Sequence, residues 1–149
     1  MPLAAVLCKE EFNIAGDRAL GHYTHEKSSV ACAAGLAALE VLVEENLVSR
    51  SQSLGDQALT ILQDELRESA CVREVRGLGL LIGVELEDAV LKANQLAEKV
   101  MYGCLKAGIS FKVSMGSVLT LAPALTISES DLERALRTVC SMIQHQTKN

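Results

Sequence analysis

Tryptophan is absent from this chain, and aromatic residues together make up only 3% of it. Platforms on which bases or sugars could stack are therefore scarce. An excess of positive charge is missing too. Against 14 basic residues stand 19 acidic ones, a formal net charge of −5, so no basic stripe is available to neutralise a phosphate backbone. Nucleic acid is not an expected partner. Nowhere do roughly 18 apolar residues follow one another, the minimum for a membrane-spanning helix, and no membrane partner is expected. The apolar start, Leu3 to Cys8, lacks a basic flank and is too short for a secretory signal. Cysteine is present five times, at 8, 32, 71, 104 and 140, but no C-x-x-C pair occurs. An odd, scattered set reads as free thiols in a reducing compartment rather than as a zinc or redox centre. A cytoplasmic protein is the expectation.

What the chain does have is 49% apolar residues over 149 positions, enough to bury one core. Val30, Ala33, Ala34, Ala37, Ala38, Val41 and Leu42 recur at helical spacing, with Ser28 or Ser29 as cap. Leu54, Ala58, Ile61, Leu62 and Leu66 mark a second helix that ends near Ala70. Between Val72 and Leu86 the period falls to two, and glycines at 77 and 79 interrupt it, which predicts two short strands and a tight connection. Leu96, Ala97, Val100, Met101, Cys104 and Leu105 restore the helical period before Gly108, a left-handed cap. Ile109, Phe111 and Val113, a turn at Met115-Gly116-Ser117, and the run Val118 to Ala122 predict a hairpin. Ser128-Glu129-Ser130-Asp131 places a carboxylate at the third position of a last helix lined by Leu132, Ala135, Leu136, Val139 and Ile143. Strands that neighbour one another in sequence, mixed with amphipathic helices, predict an α/β (α+β) fold: a small antiparallel sheet with helices packed on one face. Residues 1–28 fit this scheme least and read as an arm of something larger.

Chemistry-bearing side chains concentrate at Gly21-His22-Tyr23-Thr24-His25-Glu26-Lys27. The order H-x-x-H-E is not the H-E-x-x-H spacing that puts two imidazoles on one helical face, and a third ligand is missing. No metal is expected, and a polar loop is the simpler reading.

Several segments, in order, resemble the class III (fold-type I) pyridoxal-phosphate (PLP) aminotransferases. Met1 to Val6 is similar to the family strand after its glycine-rich G-G-G, and Tyr23-Thr24 leading to Val30-Ala31-Cys32-Ala33-Ala34 to T-[FY]-[SG]-G-N-P-V-A-C-A-A. Val75-Arg76-Gly77-Leu78-Gly79-Leu80-Leu81-Ile82-Gly83-Val84-Glu85-Leu86 resembles V-R-G-x-G-L-M-I-G-V-E-L, and Leu121 to Ile127 resembles L-x-P-P-L-T-I.

The resemblance implies the C-terminal portion of such an enzyme: residues 1–28 a remnant of the large PLP-binding domain, and residues 29–149 the small domain, with Val30 to Leu47 as linking helix. It implies amino transfer from an ω- or γ-amino compound, 4-aminobutyrate-like, to a keto acid in a homodimer. The family's cofactor lysine lies before its G-G-G, and Lys9, Lys27, Lys92, Lys99, Lys106 and Lys112 match no such position. The chain alone is expected to hold PLP poorly and to be inactive. Thr24 matches the threonine that reaches the cofactor phosphate of the neighbouring subunit, although Glu26-Lys27-Ser28-Ser29 departs from the family's Gly-Asn-Pro. Thr120 stands where many members have an arginine that grips a substrate carboxylate, a grip a hydroxyl cannot reproduce. Taken as strand chemistry alone, Thr120 is a β-favouring residue and Arg76 a structural arginine at the strand turn. Two other readings remain: a non-catalytic, stand-alone interaction domain, and part of a same-fold PLP lyase, racemase or mutase.

Overall fold

The order of elements follows the change of hydrophobic period along the chain. In the computed structural model, which describes residues 3–18, 28–87 and 92–146, two compact units separate at Asn46 and Leu47.

The first unit, Met1–Asn46, carries a single turn of 3₁₀ helix at Glu10–Phe12 and the helix α1, Ser29–Glu44. Ser28 takes the N-cap position as expected, but its hydroxyl makes no capping bond. In α1 the only charges are Glu40 and Glu44, and Val30, Leu36, Leu39 and Val43 are exposed. A helix apolar on every side is normally one that is covered on every side.

The second unit, Leu47–Asn149, runs α2 (Leu47–Leu66), β1 (Val72–Leu78), β2 (Leu81–Leu86), α3 (Ala93–Lys106), β3 (Lys112–Ser114), β4 (Val118–Leu121) and α4 (Glu129–Gln146). Its four strands form one antiparallel sheet in the order β1-β2-β4-β3. Ile82, Val84 and Leu86 alternate onto one face of β2, where they meet the buried stripes of α2, α3 and α4. That face is the core. Each fully buried leucine in it, Leu62, Leu96 or Leu119 for example, is worth roughly 1.5–3 kcal/mol by burial.

Local chemistry sets the ends of the elements. Gly108 has φ +83, and with it the Gly108 and Ile109 amides donate to Leu105 and Cys104 carbonyls at 3.0 and 2.9 Å, closing α3 as a left-handed cap. Ser128 accepts from the Asp131 amide at 3.1 Å and donates its hydroxyl to the Asp131 carboxylate at 2.7 Å, a side-chain cap that begins α4.

Boundaries differ from the sequence reading in three places: α2 ends at Leu66 rather than near Ala70, β3 begins at Lys112 rather than at Ile109, and the linking helix is interrupted. The linking helix stops at Glu44, and a new helix starts at Leu47, well before Leu54 where the second apolar stripe begins. Between them Asn46 takes φ 49, a left-handed conformation that asparagine tolerates better than most residues. Polar residues from Ser49 to Ser53 then form helix without an apolar period to announce it.

Candidate functional site

Strand register decides which polar side chains share a surface. Arg76 pairs with Gly83, Gly83 with Thr120, and Thr120 with Lys112, so these four lie in one row across the sheet on the face opposite the core. Glu74 and Glu85, then Val118 and Ser114, form the adjoining row. Leu78 and Leu81 end this face with 87% and 60% exposure. Among the described residues of the second unit, the helices therefore cover one side of the sheet and leave the other open.

Thr120 sits in the middle of the open face. Its hydroxyl donates to Ser114 Oγ at 2.9 Å, so the side chain is held by its neighbour on β3. Gly83 beside it has no side chain, and a shallow depression runs there between Arg76, Leu81 and Thr120.

Arg76 is not free to grip a ligand. It donates to Glu85 at 2.7 Å and to Glu74 at 2.6 Å, while Arg73 reaches Glu85 at 2.9 Å. The Glu85 carboxyl is held below the usual carboxylate range, first by its hydrogen bond from Arg76 and then by the nearby Arg73 charge. Arg76 is raised in turn, chiefly by Glu85. This agrees with a structural arginine. Because both arginines and Glu74 are solvent-exposed and only Glu85 is partly buried, the network orients the strand pair more than it stabilises the fold.

Two further contacts position the open face, and neither was visible as a motif. Arg50 of α2 donates to the main-chain carbonyls of Leu125 and Ile127, bracing the segment that follows β4. Ser51 Oγ accepts from the Leu80 amide at 3.1 Å, tying α2 to the β1–β2 turn. In that turn Gly79 has φ +54, and Gly55 of α2 packs so closely that a Cβ there would overlap the Gly79 carbonyl. An arginine or serine within a polar helical stretch gives no sequence signal of such a tertiary role.

Thr24 and Lys27, with the rest of the Gly21 to Lys27 cluster, lie outside the described residues. No group of histidine, cysteine or carboxylate side chains suited to a metal ion occurs among the described residues. No described helix is long and apolar enough to cross a membrane.

The open face does not fit PLP. That cofactor needs a lysine, a carboxylate beside its ring nitrogen, and donors for its phosphate. Glu74 and Glu85 are already taken up by arginines, and the Thr120 hydroxyl is spent on Ser114. The described residues do not compose a PLP site by themselves.

With this geometry in hand, the likeness to known proteins is specific. The family model for aminotransferase class III matches residues 1–143. The (R)-1-hydroxy-2-aminoethylphosphonate ammonia-lyase of Vibrio splendidus is 45% identical over 139 residues, covering 91% of this chain and 29% of its own. Ornithine aminotransferase 1 of Staphylococcus saprophyticus is 32% identical over 143 residues, 96% of this chain and 34% of its own. The solved ornithine aminotransferase of Toxoplasma gondii, crystallised with oxidised glutathione and described as partially occupied by PLP at its active site, superposes with a TM-score of 0.72. It shares 28% identity over 80% of this chain and 28% of that one. The chain thus spans about a third of the length of the relatives it matches.

Proposed function

The chain belongs to the class III aminotransferase family, and from that we propose that it serves a PLP-dependent enzyme acting on a small ω-amino compound, passing the amino group to a keto acid. The observation that carries the reading is Thr120. On the open face, where many members of the family hold a carboxylate with an arginine, this sheet offers a hydroxyl bonded to Ser114, and the one arginine in its row is neutralised by two glutamates. A substrate recognised here is not clamped by a bidentate guanidinium. An amine donor without an α-carboxylate fits such a surface.

In the same reading residues 29–149 form the small domain and residues 1–28 belong with the large PLP-binding domain. Thr24 contributes a hydroxyl to the cofactor phosphate of the neighbouring subunit of a cytoplasmic homodimer. PLP supplies the electron sink for reaction at the amine-bearing carbon. The residues of this chain supply the surface against which the substrate lies.

Elimination of ammonia is the second reading, and the 45% identity to an ammonia-lyase favours it. One assay separates the two. The whole product of the gene that encodes this chain, purified with PLP, is incubated with a series of ω-amino compounds with and without pyruvate. Amine loss that requires the keto acid and yields alanine supports transfer. Ammonia released without any keto acid supports elimination. Neither product with any ω-amino compound would count against both.

A further inference from the structure

The outer edge of β1 is used neither by the core nor by the reading of the open face. In the sheet order β1-β2-β4-β3 it has a strand neighbour on one side alone, and at Val72–Leu78 it is the longer of the two edge strands. Its ladder fixes which backbone groups turn outward, because residues of an antiparallel strand bond alternately to one side and the other. The Leu86 amide donates to the Ser117 carbonyl, just before β4, at 2.9 Å. Leu86, Val84 and Ile82 thus bond toward β4, and Glu85, Gly83 and Leu81 toward Glu74, Arg76 and Leu78 of β1. That leaves Val75 and Gly77 with amides and carbonyls directed away from the sheet. Among the described residues these groups meet no other backbone or side-chain partner.

An exposed edge of this kind is a template for another strand, and its side chains select which one. Laid antiparallel against a second copy of itself about a two-fold axis at Val75, β1 sets valine opposite valine on the helix side of the sheet. On the open side Glu74 of each copy comes opposite Arg76 of the other. Val75 exchanges two amide–carbonyl bonds with its counterpart, and Gly77 comes opposite Arg73, at the bulge that ends the regular strand. An axis at Arg76 would oppose two guanidiniums and one at Glu74 two carboxylates, which like-charge repulsion disfavours. Arg73, Arg76, Glu74 and Glu85 already form a network without net charge in each chain, so two such networks meet without net repulsion. A ladder this short makes a weak contact, with a dissociation constant on the order of 100 µM.

We propose that β1 is an interaction edge for a second copy of this chain, joined as an antiparallel strand pair with Val75 on the axis. Disulfide trapping and sedimentation equilibrium of the 149-residue chain test it. Opposed residues of a hydrogen-bonded pair lie about 5.5 Å apart at Cα, within disulfide reach. In a chain carrying Cys8→Ser and Cys32→Ser, which removes the exposed thiols, Val75→Cys is expected to oxidise to a dimer linked through position 75. Gln57→Cys, exposed on α2, should give none. Val75 is partly buried against the core, so the exposed Glu74 provides a second test should Val75→Cys not fold. Glu74→Lys, which faces Arg76 of the other copy, should weaken association about tenfold, and the neutral Glu74→Gln about threefold. Failure of a folded Val75→Cys chain to link, or equal sedimentation of the parent and Glu74→Lys, overturns the proposal.

Discussion

Replacing Gly55 by alanine should destabilise the second unit, although alanine is the better helix former. In the middle of α2 the exchange gains about 1 kcal/mol in intrinsic helical preference. Against this, the new Cβ would overlap the Gly79 carbonyl and stand 2.6 Å from its Cα. These are backbone atoms of a turn already at φ +54, so they cannot swing aside as a side-chain end would. Such overpacking costs roughly 1–3 kcal/mol. Parting α2 from the turn also stretches the Leu80 amide bond to Ser51, 3.1 Å in length, worth about 1 kcal/mol. The net expectation is a loss of about 1–3 kcal/mol. Urea unfolding followed by circular dichroism measures it, with Gln57→Ala at an exposed position of the same helix as the control. A Gly55→Ala variant more stable than the parent would mean that helix preference wins and that the contact between α2 and the hairpin turn is not tight.

Other expectations follow from the same structure. An aromatic disulfide reagent should titrate Cys8 and Cys32 at once and Cys71, Cys104 and Cys140 only on unfolding, because the latter three are buried and burial pushes the Cys104 and Cys140 thiols up to about 11. Glu85 has its folded-state carboxyl lowered by Arg76 and Arg73, so its stabilising contribution is complete above the ordinary carboxylate range and is lost as the pH falls through the lowered value. Urea midpoints across that acid range should therefore drop less steeply for Arg76→Met than for the parent, and identical slopes would contradict this. Arg50→Met should cost about 1–3 kcal/mol through the lost charged donors and speed hydrogen exchange from Leu125 to Ile127. Unchanged exchange there would show that the segment is held by other means.

Much of the fold was legible because period and punctuation agreed. The alternation of Ile82, Val84 and Leu86 marked a half-buried strand, Gly108 marked the end of α3, and Ser128 with Asp131 marked the start of α4. Each is a local rule acting within a few residues. The early start of α2 was not legible, since Ser49 to Ser53 carry no apolar stripe and the helix there is set by tertiary context. For the site, strand pattern could place Thr120 in a strand, but only the register brought it beside Gly83 and Lys112. The two glutamates that occupy Arg76 come from different positions along a hairpin with a bulge between Val72 and Glu74, which shifts pairing in a way that spacing alone does not foretell. Arg50 and Ser51 act across 75 and 29 residues of chain, a separation at which a single sequence is silent.

The chain belongs to the class III aminotransferase family, and by the reading proposed above its own lysines do not hold the cofactor. The direct measurement is an absorbance spectrum of the purified 149-residue chain with PLP, followed by borohydride reduction and peptide mass mapping. No absorbance band of a stable lysine adduct, and only scattered substoichiometric labelling, is the expected result. One lysine labelled stoichiometrically would contradict the claim, and its position would show where this chain holds the cofactor.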